Sequence, residues 1–245
     1  MALTLSRRNW LAGTIACACV ASTGTTQAAL TLNATRLVIS TDQRSSALMV
    51  RNPSKQTWAA QAWVNTEADD TTTAVPLMAS PALFRLEPGQ EQRVTLNRLP
   101  AELPEDRESV FYFNVQEIPQ KTDSAANQLR VALRTRIKVF LRPARFTGDP
   151  AHRLAELRWS RGQAEGKHYI EVDNPLPFHY SFVTLNVKSG SQQQALTSAP
   201  MVAPFSRQRY PVNIPLAEGA RLKVAAINDY GGFTAVLDVP LATAR

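Results

Sequence analysis

Short runs of alternating apolar and polar residues, each closed by Pro, Gly, Asn or Asp, most restrict how this 245-residue chain can fold. Alternation with a period of two puts every second side chain on one face, as in a half-buried β-strand. After the first residues, no stretch keeps a helical period beyond two turns. The sequence therefore predicts an all-β protein built from antiparallel sheets that pack face to face.

The predicted strands fall into two groups. Those of the first group cover residues 47–51, 58–65, 93–96, 109–118 and 129–141. Those of the second group cover residues 169–173, 180–187, 208–214, 221–227 and 233–239. Turn residues such as Asn174, Pro175 and Gly231 separate the strands of the second group.

A break between the two groups predicts two domains. Pro143 and Pro150 follow the last strand of the first group closely, and proline cannot continue a central β-ladder. We place the boundary at residue 146, so that residues 29–146 and 147–245 each have the size of an immunoglobulin-like β-sandwich. Residues 1–28 precede both domains.

Residues 1–28 have the character of an export signal. Arg7 and Arg8 precede an apolar stretch, and a small-residue segment leads to a cleavage site after Ala28. The apolar stretch is shorter than the roughly 20 residues that cross a bilayer, so the sequence predicts a mature protein without stable membrane insertion. The general secretory route and the twin-arginine route both fit the leader, and both lead to the periplasm.

The leader also contains both cysteines, Cys17 and Cys19, so the mature chain has no disulfide. Removing Arg7 and Arg8 leaves 25 basic residues against 20 acidic ones, a net charge of +5 instead of +7. The basic residues alternate with apolar ones along predicted strands and do not cluster with aromatic residues. This pattern argues against a nucleic-acid partner and allows at most a preference for acidic partners.

The sequence contains no recognisable catalytic constellation. His152, His168 and His179 are not at metal-ligand spacing, and we expect them in solvated turns or at strand edges. There is no glycine-rich phosphate loop and no G-x-S-x-G motif, and the acidic residues are scattered. We therefore expect a protein that is not an enzyme and holds neither a cofactor nor a metal ion.

Several segments, in order along the chain, carry a family resemblance. Residues 103–119, LPEDRESVFYFNVQEIP, resemble the signature of periplasmic pilus chaperones along their whole length. The other resembling segments are residues 35–36, 85–89, 136–143, 174–177 and 227–232. The resemblance thus covers the mature chain from end to end.

The resemblance implies two immunoglobulin-like β-sandwich domains in a boomerang arrangement, with a cleft between them. It implies a periplasmic chaperone that folds and caps pilus or fimbrial subunits by donor-strand complementation and delivers them to an outer-membrane usher. The loop of residues 120–128 is short, which is typical of the branch of the family that assembles rod-like fibres. Whether the free protein self-associates stays open.

The resemblance also assigns roles to individual residues. Arg36 and Lys138 match the two basic residues that anchor the C-terminal carboxylate of a subunit. Glu108, Arg142 and Asp229 match a charge network that orients one domain against the other. The donor-strand residues are Leu129, Val131 and Leu133, an apolar row with a spacing of two residues.

Arg130, Arg134 and Arg136 make the donor region more basic than is usual in the family. One hypothesis is that the groove of the cognate subunit has an acidic rim. Two other protein classes stay open, a secreted all-β pilus subunit or adhesin and a carbohydrate-binding sandwich protein. A pilus subunit would need an N-terminal donor extension and usually a disulfide, and a carbohydrate-binding protein would need an aromatic platform or a carboxylate pair.

Overall fold

The computed structural model describes residues 30–70, 72–118 and 131–244, so the predicted leader lies outside the described residues. In the first half of the chain the strands are β1 (Thr31–Leu32), β2 (Arg36–Ser40), β3 (Ser45–Arg51), β4 (Trp58–Asn65), β5 (Leu77–Ser80), β6 (Leu83–Leu86), β7 (Glu91–Arg98), β8 (Ser109–Ile118) and β9 (Arg134–Arg142). A 3₁₀-helix, Pro150–Glu156, follows. In the second half they are β10 (Arg158–Ala164), β11 (Lys167–Asn174), β12 (Phe182–Ser189), β13 (Gln192–Ala195), β14 (Ser206–Val212), β15 (Arg221–Ala226), β16 (Leu237–Pro240) and β17 (Ala242–Thr243).

The first nine strands form one β-sandwich. One sheet has the order β1-β3-β7-β5, and the other has the order β2-β9-β8-β4-β6. β2 runs parallel to β9, whereas β8 is antiparallel to both β4 and β9. The largest fully buried side chains of its core include Ile39, Leu48, Leu86, Leu96, Phe113 and Leu141.

The remaining strands form a second β-sandwich. Its sheets have the orders β14-β11-β10-β17 and β13-β12-β15-β16. Trp159, Phe182 and Tyr210 pack against one another, with ring centroids 5.3 to 6.4 Å apart. Each half of the chain therefore has its own core, as expected for two separate sandwiches.

For two strands that have partners on both sides, the structure agrees with the alternation pattern to the residue. The predicted strands 58–65 and 109–118 coincide with β4 and β8. The predicted strand 129–141 instead begins at Arg134, because residues 131–133 are described but are not part of a strand. The predicted strand 233–239 reduces to β16, and Phe233 forms only an isolated bridge with Ile227.

No helix in the described part of the chain is both long and apolar enough to span a membrane. Within the same ranges, no group of three or more His, Cys, Asp or Glu residues is arranged to hold a metal ion.

Candidate functional site

The two basic residues of the expected anchor lie side by side. Arg36, the first residue of β2, is the register partner of Lys138 in the parallel pairing with β9. Register partners project to the same face of a sheet, so the structure brings the two cations together on the outer face of the five-stranded sheet.

Two residues of the second sandwich hold these cations. Arg36 Nη1 donates a hydrogen bond to the Ile227 carbonyl at 3.1 Å, and Lys138 Nζ donates one to Ser181 Oγ at 3.1 Å. The Ile227 N–H in turn donates to the Ser181 carbonyl at 2.9 Å. The site is therefore a composite of both domains, and the residues of the second domain were not identified from the sequence.

Burial leaves this pair of cations incompletely compensated. Loss of solvation is the main cause that lowers the pKa of Lys138, and the positive charge of Arg36 adds to it. Burial also lowers the pKa of Arg36, against the opposing charges of three nearby carboxylates. Arg36 Nε has no hydrogen-bond partner among the described residues. A carboxylate placed here would restore hydrogen bonds and charge balance that burial removes.

The expected charge network forms a connected cluster where the two sandwiches meet. Arg142 Nε donates to Glu108 Oε1 at 2.7 Å, and its two terminal nitrogens donate to the carboxylate of Asp229 at 2.7 and 2.8 Å. Burial works to lower the pKa of Arg142, but the hydrogen bonds and charges of the two acids raise it. Glu108 and Arg142 belong to the first sandwich and Asp229 to the second, so the cluster joins the two.

His179 is part of this junction, which corrects the expectation of a solvated or edge histidine. Its side chain is only 6% exposed, and its Nδ1 lies 3.2 Å from Glu108 Oε2. The same oxygen accepts the His179 backbone N–H at 2.8 Å, and the Glu108 N–H donates to the Pro177 carbonyl at 2.9 Å. The sequence around His179 predicts a turn after Asn174. Its burial depends on the contact with Glu108 of the other domain, which the sequence does not show.

A turn of the second sandwich also approaches the first sandwich closely. Gly231 has φ +84°, and a Cβ atom built on it would collide with the hydroxyl of Thr35, the residue before Arg36. The turn is closed by the Gly231 N–H, which donates to the Asn228 carbonyl at 3.1 Å. Glycine is therefore required here both for the backbone angle and for the space beside Thr35.

The described part of the donor row lies just before β9 and is open to solvent. Val131 is 58% exposed and Leu133 is 45% exposed, whereas Leu129 lies outside the described residues. β9 pairs with β2 only from Lys138 onward, so Arg134 to Ile137 have β8 on one side and no described strand on the other. This stretch is therefore a free sheet edge.

Arg134 and Arg136 of the basic stripe are already engaged within the protein. Arg134 is paired with the Asp69 carboxylate and donates to Asn114 Oδ1 at 2.6 and 3.0 Å, and its guanidinium lies 4.9 Å from the Trp63 ring centroid. Arg136 donates to the Thr66 carbonyl at 2.6 Å. The bonds to Arg134 hold the pKa of Asp69 at about 2. Arg134 and Arg136 therefore do not support the hypothesis that the subunit groove has an acidic rim. Arg130, the third residue of that hypothesis, lies outside the described residues.

Comparison with known proteins identifies the family. Residues 29–147 match the model of the pili and flagellar-assembly chaperone, PapD N-terminal domain, and residues 152–236 match the model of the pili assembly chaperone PapD, C-terminal domain. The chain is 34% identical over 224 residues to the probable fimbrial chaperone YadV of Escherichia coli K12, covering 87% of this chain and 91% of YadV. The chain belongs to the PapD-like family of pilus-assembly chaperones.

Other members of this chaperone family agree with the assignment. The chaperone protein PapD of Escherichia coli is 34% identical over 208 residues, covering 84% of each chain. The crystal structure of YadV matches with a TM-score of 0.75 at 29% identity, covering 87% of this chain and all of that one. A chain from the Salmonella enterica structure of SafA pilin in complex with the SafB chaperone matches with a TM-score of 0.75 at 25% identity, covering 89% of this chain and 99% of that one.

The predicted family and fold class, two immunoglobulin-like sandwiches in a boomerang arrangement, are thus confirmed. Members of this chaperone family are not enzymes, so the expectation of no catalytic activity is also confirmed. Membership decides against the alternatives of a pilus subunit and a carbohydrate-binding protein.

Proposed function

We propose that this chaperone works in the periplasm, where it binds pilus or fimbrial subunits by donor-strand complementation and passes them to an outer-membrane usher. One observation carries the proposal: the free edge of β9 ends at a pair of cations, Arg36 buried and Lys138 partly buried, supplied by two parallel strands.

The free edge and the cation pair at its end together set the direction in which a strand can be added with its C-terminus at the anchor. The Leu133 carbonyl accepts a hydrogen bond from Glu117 of β8, so strand alternation turns the backbone groups of Arg134 and Arg136 toward the open side. A strand that pairs there parallel to β9 lies in line with β2 and ends where β2 begins. Its C-terminal carboxylate then meets Arg36 and Lys138.

The apolar row gives such a strand something to bury. In an extended donor strand, Val131 and Leu133 would project to the same face as the core residue Ile137, because they share its parity along the chain. A subunit whose own sandwich lacks a strand offers a hydrophobic groove between unpaired edges, and this row would fill that groove. Anchoring the carboxylate sets the register, since a slip of one residue would turn the whole row away from the groove.

The charge network supports the site from the second domain. Arg142 fixes Asp229 against the first sandwich, and Asp229 lies two residues from Ile227, which holds Arg36. We propose that Glu108, Arg142 and Asp229 keep both halves of the anchor in contact, even where their net stabilisation is small.

The remaining parts of the proposal follow from the sequence and the family. We propose a leader over residues 1–28 that directs the chain to the periplasm, and a domain boundary at residue 146. The end of β9 at Arg142 and the start of the 3₁₀-helix at Pro150 support this boundary. Delivery to an usher rests on membership in the family.

Co-purification from periplasm tests the proposal. The tagged wild-type protein is compared with Arg36→Ala and Lys138→Ala, with Lys188→Ala as the control because Lys188 is an exposed lysine on β12. We expect the wild type and the control to recover a stable one-to-one complex with a subunit, and the two anchor variants to fold but lose it. Capture that survives both anchor variants would refute the anchor, and a wild type that captures no subunit would refute the proposed function.

A further inference from the structure

Glu117 is a buried acid next to the donor row that the anchor and the charge network do not use. It is the ninth residue of β8, only 4% of its surface is exposed, and it shares the parity of the core residues Phe113 and Val115. A carboxylate at such a position costs free energy unless hydrogen bonds compensate it. Its partners therefore indicate what it does.

Both partners of the carboxylate are backbone amides from other segments. Glu117 Oε1 accepts the N–H of Leu30 at 3.1 Å, and Oε2 accepts the N–H of Leu133 at 3.4 Å. Leu30 is a buried residue directly before β1, and Leu133 is the exposed donor residue directly before β9. One side chain thus ties the first strand of the sandwich to the donor row.

The bond to Leu133 also ends the ladder between β8 and β9. The Glu117 backbone N–H donates to the Leu133 carbonyl at 3.0 Å, as expected of an antiparallel pair. The Leu133 N–H, however, donates to the Glu117 carboxylate and not to a backbone carbonyl of β8. The side chain therefore takes the place of the next hydrogen bond of the ladder. Without that hydrogen bond, Val131 and Ala132 are not held to the end of β8, and neither belongs to a strand.

We propose that Glu117 is the positioning residue of the described donor row: its carboxylate ends the β8–β9 ladder at Leu133 and directs Val131 and Ala132 off the sheet toward a subunit. This inference rests on the proposed donor-strand function. Burial raises the pKa of Glu117, the two amides offset part of that rise, and no charged side chain of the described residues contributes. The two amides therefore report on the protonation of this single carboxylate.

Amide hydrogen exchange and NMR in the free protein test the positioning directly. In the wild type, we expect the amide chemical shifts of Leu30 and Leu133 to titrate with one common midpoint. Glu117→Gln keeps the shape of the side chain but offers one acceptor oxygen instead of two, so the shared titration disappears and at least one amide exchanges roughly tenfold faster or more. Val94, a core residue of β7, is the internal control and should keep its exchange rate.

Subunit capture completes the test. We expect Glu117→Gln to release a captured subunit several-fold faster than the wild type, whereas Gln116→Ala, on the opposite face of β8, releases it at the wild-type rate. Independent titration of the two amides, or unchanged exchange in Glu117→Gln, would overturn the inference. Faster exchange with unchanged release would also overturn it. A failure of the proposed function is seen separately, as a wild type that captures no subunit.

Discussion

At the scale of single residues, the proposed anchor depends on how burial affects the positive charges of Arg36 and Lys138. Lys138 is partly buried, and its ammonium group donates a hydrogen bond to the neutral hydroxyl of Ser181. A second cation, Arg36, lies beside it. Such a lysine binds its proton less tightly than one in water. A bound carboxylate reverses this effect, because the charged ammonium then has a partner.

This arrangement predicts opposite effects of alkaline pH on stability and on capture. Because the pKa of Lys138 is lowered in the folded state, the unfolded state holds the proton more tightly, and this residue's contribution to stability rises with pH through that window. Capture of a subunit should weaken as Lys138 loses its proton, which happens over an alkaline range below the ordinary lysine pKa of about 10.4. Affinity measurements across this range provide the test, with Lys138→Arg as the matched variant. An equal loss of affinity in Lys138→Arg would contradict the explanation.

Glu108 allows a second prediction at this scale. Its carboxylate is buried and serves both Arg142 and His179, so its removal leaves a buried guanidinium without one partner. We expect Glu108→Ala to lower the free energy of unfolding by about 3 kcal/mol, within the range for breaking a buried ion pair. Denaturant unfolding measures this loss. Glu105→Ala, which changes an exposed acid in the preceding loop, should stay within about 0.5 kcal/mol of the wild type.

At the scale of elements, the turn that contains Gly231 fits against the chain just before β2. Two separate constraints act on this glycine: the backbone angle, and the space occupied by Thr35. Gly219 has a similar φ of +79° but nothing within 4 Å of its missing Cβ, so it carries only the first constraint.

Comparing these glycines separates the two constraints. Gly219→Ala should lose about 1 kcal/mol of stability from the backbone angle alone. Gly231→Ala should lose more, and the additional Thr35→Ala change, which removes the colliding hydroxyl, should restore the extra loss only. Thermal denaturation of the single and double variants measures each contribution. Equal losses in the two glycine variants would show that the contact with Thr35 is unimportant.

The elements also show how far the sequence could predict this structure. β4 and β8 were predictable to the residue because burial on one face imposes the period of two, whereas β7, which also has neighbours on both sides, extends two residues beyond the predicted 93–96 at each end. Residues 131–133 follow the same alternation but form no strand, since alternation indicates only that a segment can pair, and no strand among the described residues lies on their open edge. Ser181, His179 and the Ile227 carbonyl could not be predicted, because their roles depend on contacts between two domains that local patterns do not encode.

At the scale of the whole molecule, two small sandwiches create one site that neither has alone. The first supplies Arg36, Lys138 and the donor row, and the second supplies the groups that hold the two cations. The buried cluster around Arg142 connects the halves. The energy of subunit capture would come from burying the donor row and pairing the free edge.

If the residues before β9 enter a subunit as an added strand, cysteine cross-linking should detect their contact with the subunit groove. The chain has no cysteine after Cys19, so single cysteines introduced at Val131, Ala132 and Leu133 are unique once the leader is removed. Each variant is combined with a subunit that carries one cysteine inside its groove, and disulfide formation is measured. We expect cross-links at positions 131 and 133, which would face the groove in the added strand, and little cross-linking at position 132. Equal cross-linking at all three positions, or cross-linking only at position 132, would contradict this expectation.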